Sequence, residues 1–199
     1  MLKDILTDPE VKTRLNGLFT VARDSRKMFR LGKSIHEVQT ILDTVGNINM
    51  GMVNMALQIC SRTAFFVYWI FNNLQLLATF KVIKKDPKSL SKVGMTAWFI
   101  AILFSLALLI RKLSANYTSE TKARSRLAGD PQLLKKTLTT MSTERTVIVL
   151  NIIKNLGDIL PASNGANVPQ TLFNKGIPER WNGLGGLISA LISCYQTWS

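Results

Sequence analysis

The sequence predicts an all-α membrane protein, with amphipathic N-terminal helices and about two to three membrane-embedded helices, one of them a C-terminal hydrophobic helix. Three observations predict it. The chain sets 25 Lys and Arg against 12 Asp and Glu, a formal net charge of +13, while 47% of its 199 residues are hydrophobic. Long uncharged apolar runs accompany that charge, which is the pattern of a membrane protein with basic interfacial segments and departs from that of a nucleic-acid binder. Asp-Pro pairs at Asp8-Pro9, Asp86-Pro87 and Asp130-Pro131 supply helix starts, the carboxylate capping orphan amides and the proline losing no needed donor. Sustained period-two alternation is absent, so strands are not expected.

One domain over 1–199 suits this length. The acidic Asp4, Asp8 and Glu10 stand where a signal peptide would need an apolar core, so no cleavable leader is expected. Cys60 and Cys194 fall inside apolar segments, which predicts buried thiols in a reducing compartment.

The region 9–46 reads as amphipathic. A first helix from about Pro9 to Leu31 carries Val11, Leu15, Leu18, Phe19, Ala22 and Phe29 on one side, with Lys12, Arg23, Lys27 and Arg30 beside or opposite them. Between positions 11 and 33 seven cations, with Arg14, Arg26 and Lys33 completing the set, face Asp24 alone. Such a helix suits a headgroup interface, and equally a protein core with a solvated basic face. Gly32 loosens the chain before a second amphipathic stretch through Ile35, Val38, Ile41, Leu42 and Val45.

Residues 48–83 read as a membrane-embedded or interfacial helix. Its one formal charge before Lys81 is Arg62, expected to snorkel from a headgroup end, and Asn72, Asn73 and Gln75 need polar partners in lipid. Residues 93–110 are eighteen uncharged positions between Lys92 and Arg111-Lys112, a transmembrane span whose orientation is hidden by basic flanks on both sides. An amphipathic helix at 131–160 is expected to pack on the others and to stop before Pro161, and the Pro-, Gly- and Asn-rich 161–178 reads as a loop.

The segment 181–198 reads as a C-terminal transmembrane helix with Trp181, Tyr195 and Trp198 as interfacial anchors. Its small residues form two rows four apart, Gly185, Ser189 and Ser193 beside Gly186, Ala190 and Cys194. Such a ridge lets another helix approach closely, either within the subunit or in an oligomer.

Catalytic motifs are missing. His36 and Glu37 are adjacent and do not share a helix face, the cysteines lack metal-ligand spacing, and GLGG at 183–186 follows no strand. No metal, cofactor, enzyme activity or nucleic-acid partner is expected.

The stretches RKMFRLGKS (26–34), SRTAFFVYWIFNNLQLL (61–77), AWFIAILFSLALLIRKL (97–113) and GLGGLISALISCYQTW (183–198) together resemble the peroxin-11 family of peroxisomal membrane proteins, in order over nearly the whole chain. The resemblance implies an integral protein of the peroxisomal membrane, or of a specialised peroxisome such as a glycosome. By implication it promotes peroxisome elongation, proliferation and fission by inserting its N-terminal amphipathic helix and by self-association. The apolar face Val11, Leu15, Leu18, Phe19, Ala22 and Phe29 becomes a membrane wedge, and Lys12, Arg23, Arg26, Lys27, Arg30 and Lys33 become contacts to anionic phospholipid headgroups. Gly185, Gly186, Ser189, Ala190 and Ser193 become a helix-packing or homo-oligomer face. The implied partners are lipid, further copies of the chain, and a fission machinery of a dynamin-related GTPase with its membrane receptor. The alternative is a pore-forming channel for small metabolites, motivated by Asn72, Asn73 and Gln75.

Overall fold

The computed structural model describes residues 9–28, 30–47 and 50–198, with the side chains of Lys12, Phe19, Arg23, Asp24, Arg26 and Lys27 outside that description. Among the described residues there are seven helices and no strand. They are α1 (Pro9–Met28), α2 (Lys33–Gly46), α3 (Met52–Thr79), α4 (Pro87–Arg126), α5 (Pro131–Gly165), α6 (Val168–Phe173) and α7 (Glu179–Trp198).

The Asp-Pro starts act as expected at two described positions. Asp86 accepts from the backbone N–H of Lys88 at 3.2 Å and of Ser89 at 2.9 Å, and Asp130 accepts from that of Leu133 at 3.0 Å. Each proline then opens its helix. Stop signals are less local. α3 ends in a Schellman turn, in which Val82 donates to the Leu77 carbonyl at 2.9 Å and Lys81 to that of Ala78 at 3.0 Å. Lys81 holds a left-handed φ of 59° there, at a position that glycine occupies without strain.

Packing follows chain order. α1 and α2 lie on α3, α3 on α4, α4 on α5, and α5 on α6 and α7, with no other helix pairs in contact among the described residues. Each helix therefore packs against few others. The exposed surface of the protein is 13803 Å², against about 9,400 Å² for a soluble monomer of this mass. Ile102 is the largest side chain with essentially no exposure, and Trp69, Leu76 and Leu108 with four alanines, Ala78, Ala97, Ala101 and Ala162, make up the rest of the buried apolar core. Small residues let the helices approach where little else is buried. Ser61 donates to the Ala101 carbonyl at 3.1 Å and pairs with Ser105 at 2.8 Å, joining α3 to α4.

α4 and α5 are long and apolar enough to cross a membrane, and only 28% and 17% of their apolar windows are buried inside the protein. A soluble core helix would bury most of that surface. The 40 residues of α4 extend about 60 Å, twice the ~30 Å of a hydrocarbon layer. Its apolar stretch at 93–110 therefore continues into a second half that projects past the membrane, paired with the start of α5.

Several sequence expectations are corrected. α1 ends at Met28, short of Leu31. α5 does not stop before Pro161 but runs through it to Gly165, and 161–178 holds the end of α5 and all of α6 in place of a continuous loop. Pro161 removes the donor that the Gly157 carbonyl would use, and that carbonyl instead lies against Gly185 of α7, so a neighbouring helix accommodates the defect. α5, expected only to pack, is the second span candidate. Cys60 and Cys194 are both exposed, because each helix packs against few others and leaves much of its surface facing outward.

Candidate membrane-contact surface

α1 is exposed almost all round, and among its described side chains only Val11 is partly covered. Leu15, Leu18, Val21 and Met28 are exposed at 49%, 68%, 64% and 52%, Ala22 is exposed, and Val11 is partly covered. Of the remaining stripe, Phe29 and the Phe19 side chain lie outside the described residues, as do the side chains of Lys12, Arg23, Arg26 and Lys27. The two other expected headgroup cations are visible. The Arg30 guanidinium stands 5.8 Å and the Lys33 ammonium 5.3 Å from the centre of the Trp69 ring, both at cation–π distance on α3.

α2 is built inside out. Ile35, Val38, Leu42 and Val45 point outward, while the buried residues of the helix are Glu37 and Thr44, seven apart and hence on one face. Glu37 accepts from Arg62 at 3.3 Å and from the Trp69 indole N–H at 3.4 Å, which satisfies a carboxylate that is almost wholly covered. Water would favour the opposite orientation. An amphipathic helix that turns polar groups inward and apolar groups outward fits an apolar surrounding.

Arg62 is not at a headgroup end. Gly94 packs on Phe71 and Asn72, Ser61 on Ala101, and the Arg111 side chain donates to Asn54 at 2.8 Å, so α3 runs antiparallel to α4. This register sets Arg62 level with the middle of the apolar 93–110 stretch. Contact of Met95 with Gly165 and of Asn116 with Arg145 likewise sets α5 antiparallel to α4 and brings Asp158, beside Ser189 and Lys154, to the same depth. The sequence hid the Glu37–Arg62 pair, whose one signal was the seven-residue spacing of Glu37 and Thr44.

The C-terminal ridge divides between two surroundings. Gly185 and Ser189 are buried, and a β-carbon added at Gly157 would stand 2.7 Å from the Gly185 carbonyl oxygen, so α7 crosses α5 backbone to backbone. Ser193 is half-buried and donates to the Ser189 carbonyl at 2.8 Å, while Gln196 donates to Asn151 of α5 at 3.3 Å. Gly186 has open space beside it and Ala190 is exposed.

Beyond the apolar stretch, the paired halves of α4 and α5 are joined by a polar knot. Asn116 donates to the Met141 carbonyl at 3.2 Å and accepts from Arg145 at 3.0 Å. Arg145 also pairs with Glu120 and lies 4.1 Å above the Tyr117 ring, and Arg124 holds Glu120 from the same helix at 2.7 Å. Hydrogen bonds from Arg145 and then Arg124 keep the Glu120 carboxyl, ten residues past the apolar stretch, below its usual range. No group of three metal-ligating side chains occurs among the described residues.

Fold and surface together define a class: an all-helical protein with two helices able to cross a membrane, flanked by amphipathic helices whose apolar faces point outward. The chain belongs to the peroxisomal biogenesis factor 11 family, whose model matches residues 2–198. It is 26% identical over 200 residues to a Dictyostelium discoideum protein described as peroxisomal membrane protein 11 homolog, covering 91% of this chain and 76% of that one. No solved structure matches.

Proposed function

We propose that this protein remodels the peroxisomal membrane, driving elongation and proliferation before fission. The observation that carries the reading is the exposure of the apolar residues Leu15, Leu18, Val21 and Met28 of α1. Inserted at the headgroup and acyl boundary, the apolar residues of α1 expand one leaflet relative to the other, and the cations between positions 11 and 33 hold the helix to anionic phospholipid. Each inserted helix adds little area, so self-association concentrates the effect. Recruitment of a dynamin-related GTPase and its membrane receptor then completes division. The reading assigns no catalytic role to any side chain.

Full-length protein reconstituted into vesicles containing about one-third anionic lipid should tubulate them, while a Leu15→Asp/Leu18→Asp double variant should bind and leave them spherical. Equal tubulation by both proteins contradicts the wedge. The metabolite-channel alternative gains no support from two of its three motivating residues, while Gln75 lines a recess at the end of α3. Asn72 is buried against α4, and Asn73 donates to the Leu31 carbonyl at 3.2 Å, so both are engaged in the chain's own packing.

A further inference from the structure

Where α3 turns into α4, the ends of three helices frame a recess of about 600 Å³. Gln75 of α3, Lys88, Ser89, Ser91 and Lys92 of α4, and Asn167 just past α5 line it. Its depth is set by the sequence of α4. Lys92 is the last residue before the apolar 93–110 stretch and Lys88 lies one turn farther out, about 6 Å along the axis. When α4 crosses a bilayer, the recess opens at the level of the lipid phosphates.

Its charge is positive and uncompensated. Among the described residues no ion pair joins Lys88 or Lys92 to a carboxylate. The one acid nearby, Asp86, has its oxygens occupied by the Lys88 and Ser89 amides of the helix cap. Lys81, Lys84 and Lys85 put three more cations in the connection that precedes α4. Along α4 the apolar 93–110 stretch begins directly below Lys92, and Met95, one turn into it, packs on Gly165 of the recess wall. Cations in the recess with an apolar helix surface directly below it match a molecule with a phosphate at one end and hydrocarbon at the other. Basic recesses between membrane helices at the surface select anionic headgroups on this ground, with lysine acting as a point charge.

We propose that this recess binds one anionic phospholipid, its phosphate between Lys88 and Lys92, which lie one turn apart on the same face of α4, and its acyl chains along α4 below Val93. The binding chemistry is that of any phosphate group, and the position at the apolar boundary assigns it to a lipid. The site is separate from the α1 wedge and binds a single molecule per chain.

Native mass spectrometry of the full-length protein in detergent, titrated with dioleoyl phosphatidic acid, dioleoyl phosphatidylcholine or inorganic phosphate, tests this. Retention of one phosphatidic acid per chain, at least fivefold over phosphatidylcholine, is expected. Lys88→Gln/Lys92→Gln should lower that retention at least fivefold, whereas Lys135→Gln/Lys136→Gln, with the same charge loss on α5, should not. An Arg23→Gln/Arg26→Gln/Lys27→Gln variant should keep it, so that failure of the wedge and failure of this site are told apart. No preference between the two lipids, equal loss in both lysine pairs, loss in the α1 variant, or inorganic phosphate that displaces the lipid at equal concentration would overturn the proposal.

Discussion

Gly157 of α5 and Gly185 of α7 meet backbone to backbone, each occupying the space that a β-carbon on the other would need. Pro161 makes the contact possible, since it leaves the Gly157 carbonyl without its helical donor and free to lie against the neighbouring helix. Gly185→Leu should therefore cost about 1–3 kcal/mol by forcing the helices apart. Gly186→Ala, one residue away with nothing within 4 Å, should be neutral or stabilise by up to about 1 kcal/mol through helix propensity. Unfolding of both variants in mixed micelles measures the contrast, and equal destabilisation would place α7 differently.

Glu37 ties α2 to α3 through Arg62 and the Trp69 indole. Glu37→Ala leaves both donors without their acceptor, at a cost of about 1–3 kcal/mol. Because α2 touches α3 alone among the described helices, the loss should appear locally, as faster amide exchange over residues 33–46 with 93–110 unchanged. Unchanged exchange in α2 would show that the helix is held by something other than this carboxylate.

Arg145 organises the projecting halves of α4 and α5 by meeting Asn116, Glu120 and Tyr117 together. Arg145→Ala should open this hairpin and raise limited proteolysis between residues 111 and 145 several-fold, with little change at 93–110. Arg145→Lys should rescue only part of the protection, since an ammonium lacks the planar fork that reaches both Asn116 and Glu120. Full rescue by lysine would reduce the knot to simple charge pairing.

Helix starts were legible because their determinants are local: an aspartate and the proline after it specify the cap before any tertiary contact forms, as at Asp86 and Asp130. The end of α5 was not, because whether Pro161 breaks the helix depends on Gly185, 24 residues later in the chain. Periodicity likewise found the apolar stripe of α2 without fixing the direction it faces. Only the partner that Glu37 finds in Arg62 turns the stripe outward. For the C-terminal ridge, spacing identified two rows of small residues, and the tertiary crossing then assigned Gly185 and Ser189 to α5 while leaving Gly186 and Ala190 open. Leu15 and Leu18 were readable as members of an apolar stripe because a helix carries that pattern within a few turns, and the wedge role proposed for them rests on that stripe and on their exposure.

The central claim is that the exposed apolar face of α1 reshapes the membrane of the organelle. Peroxisome length, scored in cells expressing tagged full-length protein or its Leu15→Asp/Leu18→Asp variant at matched levels, tests it most directly. The wild-type chain should produce elongated peroxisomes and the variant should reach the organelle yet leave its shape unchanged. Elongation by the variant to the same extent would contradict the account.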